Sequence, residues 1–160
     1  MRKYLFRSFQ IFSILILNNI TYAQIPNILW QKSFGGSGTE HPFNSQRMIQ
    51  TSDGGYIMAG YSDSNDGDVG INYGRSDIWI IKLDAQGNLQ WKRSIGGIGS
   101  EVPNSIQQTF DGGFIIAGSH QNVNNVSGNG NHGSSDFYIV KLSSNGVIQY
   151  SEFNLPQGEQ

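Results

Sequence analysis

The chain repeats itself once, at a spacing of about 60 residues, and this repeat constrains the fold more than any other feature. The block Trp-Gln-Lys-Ser-Phe-Gly-Gly-Ser-Gly-Thr-Glu from Trp30 returns as Trp-Lys-Arg-Ser-Ile-Gly-Gly-Ile-Gly-Ser-Glu from Trp91. Residues 50–60 return as 108–118, and residues 76–83 return as 135–142. A period of this length is typical of a supersecondary unit that buries its faces against its neighbours.

The first 23 residues have the pattern of an export signal. Arg2, Lys3 and Arg7 form a basic start, a short apolar run follows, and Thr21-Tyr22-Ala23 ends in the small residue that signal peptidase requires. The apolar run is shorter than the roughly 20 residues that span a bilayer. We therefore predict a cleaved signal peptide over 1–23, and a protein that is secreted or held at the cell surface.

Charge and cysteine content narrow the function classes further. Without residues 1–23 the chain keeps seven Lys and Arg against twelve Asp and Glu, a formal charge of −5. Nucleic-acid binding relies on basic patches, so this balance argues against it, and against an anionic membrane surface. The chain has no cysteine, which excludes disulfides, a thiolate metal site and a thiol nucleophile.

Short β-rich runs separated by turn signals fill each repeat. In the first repeat they predict strands over 45–51, 56–62, 77–83 and 89–95, and in the second over 104–109, 114–119, 136–142 and from 147 onward. Asp-Gly-Gly at Asp53 and Asp111 marks the first turn of each repeat, because glycine adopts positive φ without penalty. The run Ile-Trp-Ile-Ile at 78–81 indicates a strand buried on both faces.

These elements predict an all-β fold of two propeller-like blades, each of four antiparallel strands, in effect a partial β-propeller. The predicted organisation is a single β-repeat domain over 24–160. Repeat one covers about 29–89, repeat two about 90–149, and a degenerate tail 150–160.

The repeat motifs resemble those of a known group of exported proteins. Trp-x-x-x-Phe/Ile-Gly-Gly, Thr-x-Asp-Gly-Gly-Tyr/Phe-Ile-x-Ala-Gly and Ser-Asp-x-Trp/Tyr-Ile-x-Lys-Leu are similar to the roughly 60-residue propeller-type repeats of exported Bacteroidetes-type proteins. Such proteins often end in a type IX secretion sorting domain, for which this chain has no recognisable counterpart. The resemblance implies propeller blades and export, and it implies no catalytic residues.

Three pairs of carboxylates recur between the repeats: Glu40 with Glu101, Asp53 with Asp111, and Asp77 with Asp136. Paired carboxylates could act as acid and base in glycoside cleavage. Residues that recur once per blade more often cap turns or bind backbone amides, and we expect that role here.

The long loops carry the features that are not repeated. Asp63, Asp66 and Asp68 place three carboxylates within six residues, a density that suits Ca²⁺, although the spacing is not that of an EF-hand. A solvated loop is the preferred interpretation, which leaves these three as a weak calcium candidate and no other metal or cofactor site. His41, His120 and His132 do not have zinc-ligand spacing.

The tryptophans admit two interpretations. Trp30, Trp79 and Trp91 could form a sugar-stacking platform, but packing between blades is the preferred role.

The sequence therefore predicts a non-enzymatic binding or assembly module, with loops 63–76 and 119–135 as contact surfaces. Its partner would be a protein or a glycan, and self-association is expected from apolar strands that need cover on both faces. The alternative is a carbohydrate-active enzyme or a glycan-binding propeller fragment.

Overall fold

The computed structural model describes residues 27–42, 48–121 and 134–151, so the predicted signal peptide and the residues after 151 lie outside the described part. Nine strands fill these ranges: β1 Glu40–His41, β2 Met48–Gln50, β3 Tyr56–Ser62, β4 Asp77–Leu83, β5 Leu89–Ile95, β6 Ser100–Gln108, β7 Phe114–Gln121, β8 Asp136–Leu142 and β9 Ile148–Ser151. The described part contains no helix, and hence none long and apolar enough to cross a membrane.

The strands form two antiparallel sheets, which confirms the all-β class. The first sheet has the order β1-β3-β4-β5 with β2 also paired to β3, and the second has the order β6-β7-β8-β9. Four of the predicted strands, β3, β4, β5 and β8, have the predicted bounds. The first predicted strand of each repeat, 45–51 and 104–109, has different bounds in the described residues. In the first sheet, β1 and β2 pair separately with β3. In the second sheet, β6 begins at Ser100, because Ser100–Pro103 pairs with Gly118–Gln121.

The turn after the first strand of each repeat has the predicted chemistry. Gly54 and Gly112 both have a φ of 79°. Gly54 N–H donates to Thr51 O, and Gly112 N–H donates to Thr109 O, both at 2.9 Å. Glycine adopts this left-handed backbone without the steric cost that a side chain would add. The recurrent Asp-Gly-Gly therefore fixes the register of both hairpins.

Alternation along the strands gives each sheet two faces. The inner face of the first sheet consists of Ile57, Ala59, Ile78 and Ile80, and all four side chains are fully buried. They belong to one apolar cluster together with the inner face of the second sheet, which is formed by Ile116, Tyr138 and Val140. The core of the molecule thus lies between the two sheets.

The outer face of the first sheet, formed by Met58, Trp79 and Ile81, makes a second apolar cluster with Phe34 and Val69. Every residue of β4 is buried, as the run Ile-Trp-Ile-Ile predicted. Phe34 comes from the segment before β1 and Val69 from the loop between β3 and β4. One chain segment and one loop therefore cover the side of the first sheet that faces away from the second.

The boundary between the sheets does not coincide with the boundary between the sequence repeats. β5 was counted as the fourth strand of the first repeat, but the matched block from Trp91 places nearly all of it within the second repeat as bounded above. It is hydrogen-bonded to β4 in the first sheet. From there Trp91 Nε1 donates to Ser144 O at 3.2 Å, and Arg93 Nε donates to Gly146 O at 3.0 Å, both in the second sheet's last turn. The last strand of the first sheet therefore ties the two sheets together.

Candidate functional site

Three ionisable side chains meet where the two sheets join at one end. The sheets are connected there by a parallel bridge between Ser76 and Ser100. Glu101 N–H donates to Ser76 O at 2.8 Å, and Arg75 N–H donates to Gly99 O at 2.9 Å. These bonds bring the start of β4 against the start of β6. We call the group of side chains placed there, Asp77, Glu101 and His120, the junction cluster.

The two carboxyl groups of the junction cluster face each other. Asp77 is 2 % exposed and Glu101 is 1 % exposed. A side chain on Gly96 would overlap an oxygen of each carboxyl, so both converge on that glycine. Asp77 Oδ2 accepts the N–H of Tyr73 at 2.7 Å, and Glu101 Oε2 accepts the N–H of Gly97 at 3.1 Å. Asp77 Oδ1 has no hydrogen-bond partner in the described part of the chain. Two buried carboxyls this close favour the state in which one of them keeps its proton.

Burial determines which of the two acids that is. Removal from water, with a smaller contribution from the negative charge of Asp77, raises the pKa of Glu101 to about 8, although the hydrogen bond from Gly97 N–H opposes the rise. Burial also raises the pKa of Asp77, to about 6, because the hydrogen bond from Tyr73 N–H offsets only part of the cost. At neutral pH Glu101 is therefore the carboxyl of the pair that keeps its proton.

His120 completes the cluster through its Nδ1, which contacts Glu101 Oε1 across the β6–β7 pair. Burial lowers the pKa of His120, although the charge of Asp136 opposes this. Burial disfavours the charged forms of both side chains in this contact. Tyr138 lies near the same charges, and burial raises the pKa of its hydroxyl.

The equivalent position in the first repeat has different partners. Glu40 accepts hydroxyl hydrogen bonds from Ser62 at 3.0 Å and Ser64 at 2.5 Å. Ser62 occupies the position that His120 holds in the second repeat. The Glu pair is thus repeated in sequence but not in environment, and the junction cluster occurs once in the described part of the chain.

The second recurrent pair, Asp53 and Asp111, is repeated in its contacts as well. Asp53 accepts bonds from Thr51 Oγ1, from Gly55 N–H and from Lys82 Nζ, the last at 2.8 Å. In the second repeat Thr109, Gly113 and Lys141 make the same bonds to Asp111. These bonds lower the pKa of both carboxyls, through the lysine first. The arrangement fits the turn-capping role that we predicted for this pair.

The calcium candidates lie along the loop between β3 and β4, and each has a backbone partner. Asp63 accepts Thr39 N–H at 2.5 Å, Asp66 accepts Ser37 N–H at 2.7 Å and Asp68 accepts Gly35 N–H at 3.2 Å. The bond from Ser37 lowers the pKa of Asp66. No group of three or more His, Asp or Glu side chains in the described ranges is placed to hold a metal ion. The three carboxylates fasten the loop to the segment before β1.

The remaining candidates lie apart from the junction cluster. Trp30 and Trp91 occupy matching places. The ring of Trp30 packs against that of Tyr56 with 5.6 Å between the ring centroids, and the ring of Trp91 packs against that of Phe114 with 5.9 Å between the centroids. Trp79 is buried on the outer face of the first sheet, so the three rings do not form one surface. His41 stacks on Tyr61 at 5.1 Å, and His132 lies outside the described residues.

The second sheet has an exposed apolar side. Ile115, Ala117, Phe137 and Ile139 are the apolar residues of its outer face, which they share with Ser119 and Lys141. Phe137 is 86 % exposed, and each isoleucine is 38 % exposed. By sequence these positions match Ile57, Ala59, Ile78 and Ile80, the buried inner face of the first sheet. The same set of apolar positions is therefore buried between the sheets in the first repeat and exposed in the second.

Sequence reasoning missed two parts of this geometry. It did not identify Lys82 and Lys141 as partners of the turn aspartates, although a lysine in an otherwise buried strand requires a counter-charge. It also did not connect Asp77 with Glu101, which are 24 positions apart and meet only when the sheets stack. One sequence signal could have indicated the junction cluster: the matching position is Ser62 in the first repeat and His120 in the second.

Neither a protein-family model nor a curated protein matches this chain.

Proposed function

We propose that this chain is an exported, non-enzymatic repeat protein whose two sheets are propeller-like blades and which acts as a binding or assembly module. The proposal is carried by the exposed outer face of the second sheet. Exposed, contiguous apolar side chains on a folded protein commonly mark contact surfaces. Here the matching surface of the first sheet is buried beneath a neighbouring sheet of the same design.

The order of the faces supports the propeller-like arrangement. The inner face of the first sheet corresponds by sequence to the outer face of the second, not to its inner face. The two sheets are therefore stacked front to back, as successive blades are, and not front to front as in a symmetric sandwich. A further sheet of the same kind would fit the outer face by the same contacts.

An inserted repeat tests this proposal. A copy of residues 91–149 placed between Gln149 and Tyr150 adds one period and supplies another inner face. We expect the longer chain to unfold in one cooperative transition at a higher Tm, because the outer face becomes buried. The matched control carries Phe137→Ser and Ile139→Ser in the original repeat and should lose that gain. Two separate transitions, the first at the original Tm, would contradict the proposal.

The carbohydrate-active alternative would rest on the junction cluster, which is asymmetric and contains two carboxyls in different environments. We place it second because both carboxyls are almost fully buried, whereas a glycoside substrate must reach them. Hydrolysis of a glycan by the wild-type protein, lost in Glu101→Gln, would reverse that order.

A further inference from the structure

The outer face of the first sheet is a surface of the kind that packs against another sheet elsewhere in this molecule. By sequence its residues correspond to the inner face of the second sheet, that is, Met58 to Ile116, Trp79 to Tyr138 and Ile81 to Val140. The inner face of the second sheet lies in one apolar cluster with Ile78 and Ile80 of the first sheet. In a front-to-back stack, a preceding sheet would therefore pack on the outer face of the first sheet.

Two side chains from outside the sheet occupy that position instead. Val69, in the loop between β3 and β4, lies in one apolar cluster with Trp79 and Ile81. Val69 and Trp79 are each only 5 % exposed. Phe34 packs against the same cluster, and it corresponds by sequence to Ile95, which lies in the core between the two sheets. The chain thus supplies the cover that a preceding sheet would supply.

The loop that carries Val69 is fastened to the segment before β1, and we call its residues 63–70 the loop cap. Besides the bonds of its three aspartates, Ser64 Oγ accepts the N–H of Gly38 at 2.8 Å. The N–H of Asp68 donates to Gly35 O at 2.9 Å. Gly67 has a φ of 60°, and a Cβ there would lie 2.6 Å from Gly35 O. The loop cap therefore lies so close to the segment that a side chain at position 67 would push it away.

We propose that the loop cap is an intramolecular stand-in for a preceding sheet and that it prevents the chain from assembling head to tail. The inference rests on the blade-like stacking proposed above. Under that stacking, the two outer sides of the molecule are the two halves of its own contact between sheets. Complementary surfaces on opposite sides of one chain generate an open series of copies unless one of them is blocked. The loop cap blocks the surface on the first sheet.

Opening the loop cap tests the proposal. The opened chain carries Gly67→Ala, which overlaps the segment before β1, and Val69→Ser, which removes the apolar anchor. Gly70→Ala is the matched control, because Gly70 also has a positive φ, of 85°, but a Cβ there meets nothing within 4 Å. Sedimentation velocity on residues 24–160 compares the chains over a hundredfold range of concentration. The average mass of the opened chain should rise steadily with concentration, whereas wild type and Gly70→Ala should form no such series.

A mixture locates the contact. With Phe137→Ser and Ile139→Ser added, the opened chain offers only the first sheet, whereas wild type offers only the outer face of its second sheet. Each should be monomeric alone, and together they should form a one-to-one complex that grows no further. Asp66→Ala with Asp68→Ala in place of the opening changes leaves the apolar cluster intact and should form the same complex, so the test does not depend on the folding of one variant.

Three results would overturn the proposal. These are an opened chain that unfolds cooperatively but stays monomeric, a wild-type chain that forms the series by itself, and a series that persists after Phe137→Ser and Ile139→Ser. The inserted-repeat experiment separates this outcome from failure of the proposed function. A gain in Tm there, with a monomeric opened chain, would show that only the role of the loop cap is wrong.

Discussion

The junction cluster makes the stability of this protein depend on pH in a predictable direction. The pKa of Glu101 is raised from 4.5 to about 8 in the folded protein by burial first, and by Asp77 second. Between these two values the folded state holds a proton that the unfolded state has lost. The free energy of unfolding therefore falls as pH rises through this range, and it levels off above about pH 8.

The magnitude follows from the same two values. A difference from 4.5 to about 8 corresponds to at most about 5 kcal/mol, at about 1.4 kcal/mol for each pH unit. Below pH 7, Asp77 adds to the fall, because its pKa is raised to about 6, while His120 opposes it, because its pKa is lowered. Between pH 7 and 9 Glu101 is the member of the cluster that titrates, and on the order of 1 kcal/mol of stability is lost there.

Urea unfolding at pH 5, 7 and 9 measures this loss. The midpoint should fall by roughly 0.5–1 M between pH 7 and 9, given the urea dependence usual for a domain of this size. Glu101→Gln keeps the size and hydrogen-bonding capacity of the protonated acid and should remove the fall. Glu40→Gln, at the equivalent position, is the control and should keep it. An equal slope in wild type and Glu101→Gln would refute the assignment of the proton to Glu101.

Three further predictions concern the turns and the loop. Asp53→Ala should lower the free energy of unfolding by on the order of 1 kcal/mol. It should lower it by more than Asp111→Ala does, because Lys82 is left almost fully buried and Lys141 is not. Urea midpoints compare the two variants, and equal effects would contradict the reasoning. Gly146→Ala should cost about 1 kcal/mol or more, because Gly146 has a φ of 80° and a Cβ there would overlap Trp91; an unchanged Tm would contradict this. Millimolar Ca²⁺ should leave the Tm unchanged, because Asp63, Asp66 and Asp68 already accept backbone hydrogen bonds; a rise that EDTA reverses would instead support the calcium candidate.

Local signals in the sequence were sufficient to predict the all-β class and the bounds of four strands. The strands β3, β4, β5 and β8 were predicted with correct bounds because Asp-Gly-Gly and Gly-Asn turns delimit apolar runs whose length suits a strand. The start of β6 was missed, because Gly-x-Gly-Ser-Glu reads as a turn and pairs with β7 only in the folded sheet. Tertiary pairing overrides local propensity at such places.

The candidate site was harder to predict because its members come from different repeats. Asp77 and Glu101 were identified as recurrent carboxylates, but each was compared with its own equivalent and not with the other. Their contact depends on the front-to-back stacking of the sheets, which places the start of β4 beside the start of β6. Burial of both groups, which shifts their pKa values, is a property of the folded pair alone.

The offset between repeat and sheet boundaries determines where this chain can be divided. A gene fragment that ends at the repeat boundary, after Leu89, would lack β5 and leave the free edge of β4 unpaired. That edge belongs to a strand whose every residue is buried, so the fragment would expose open backbone groups beside apolar side chains and favour aggregation. A fragment that ends between Ile95 and Ser100 keeps β5 and completes the first sheet. The chain should therefore be divided at the boundary between the sheets, between Ile95 and Ser100, and not at the boundary between the sequence repeats.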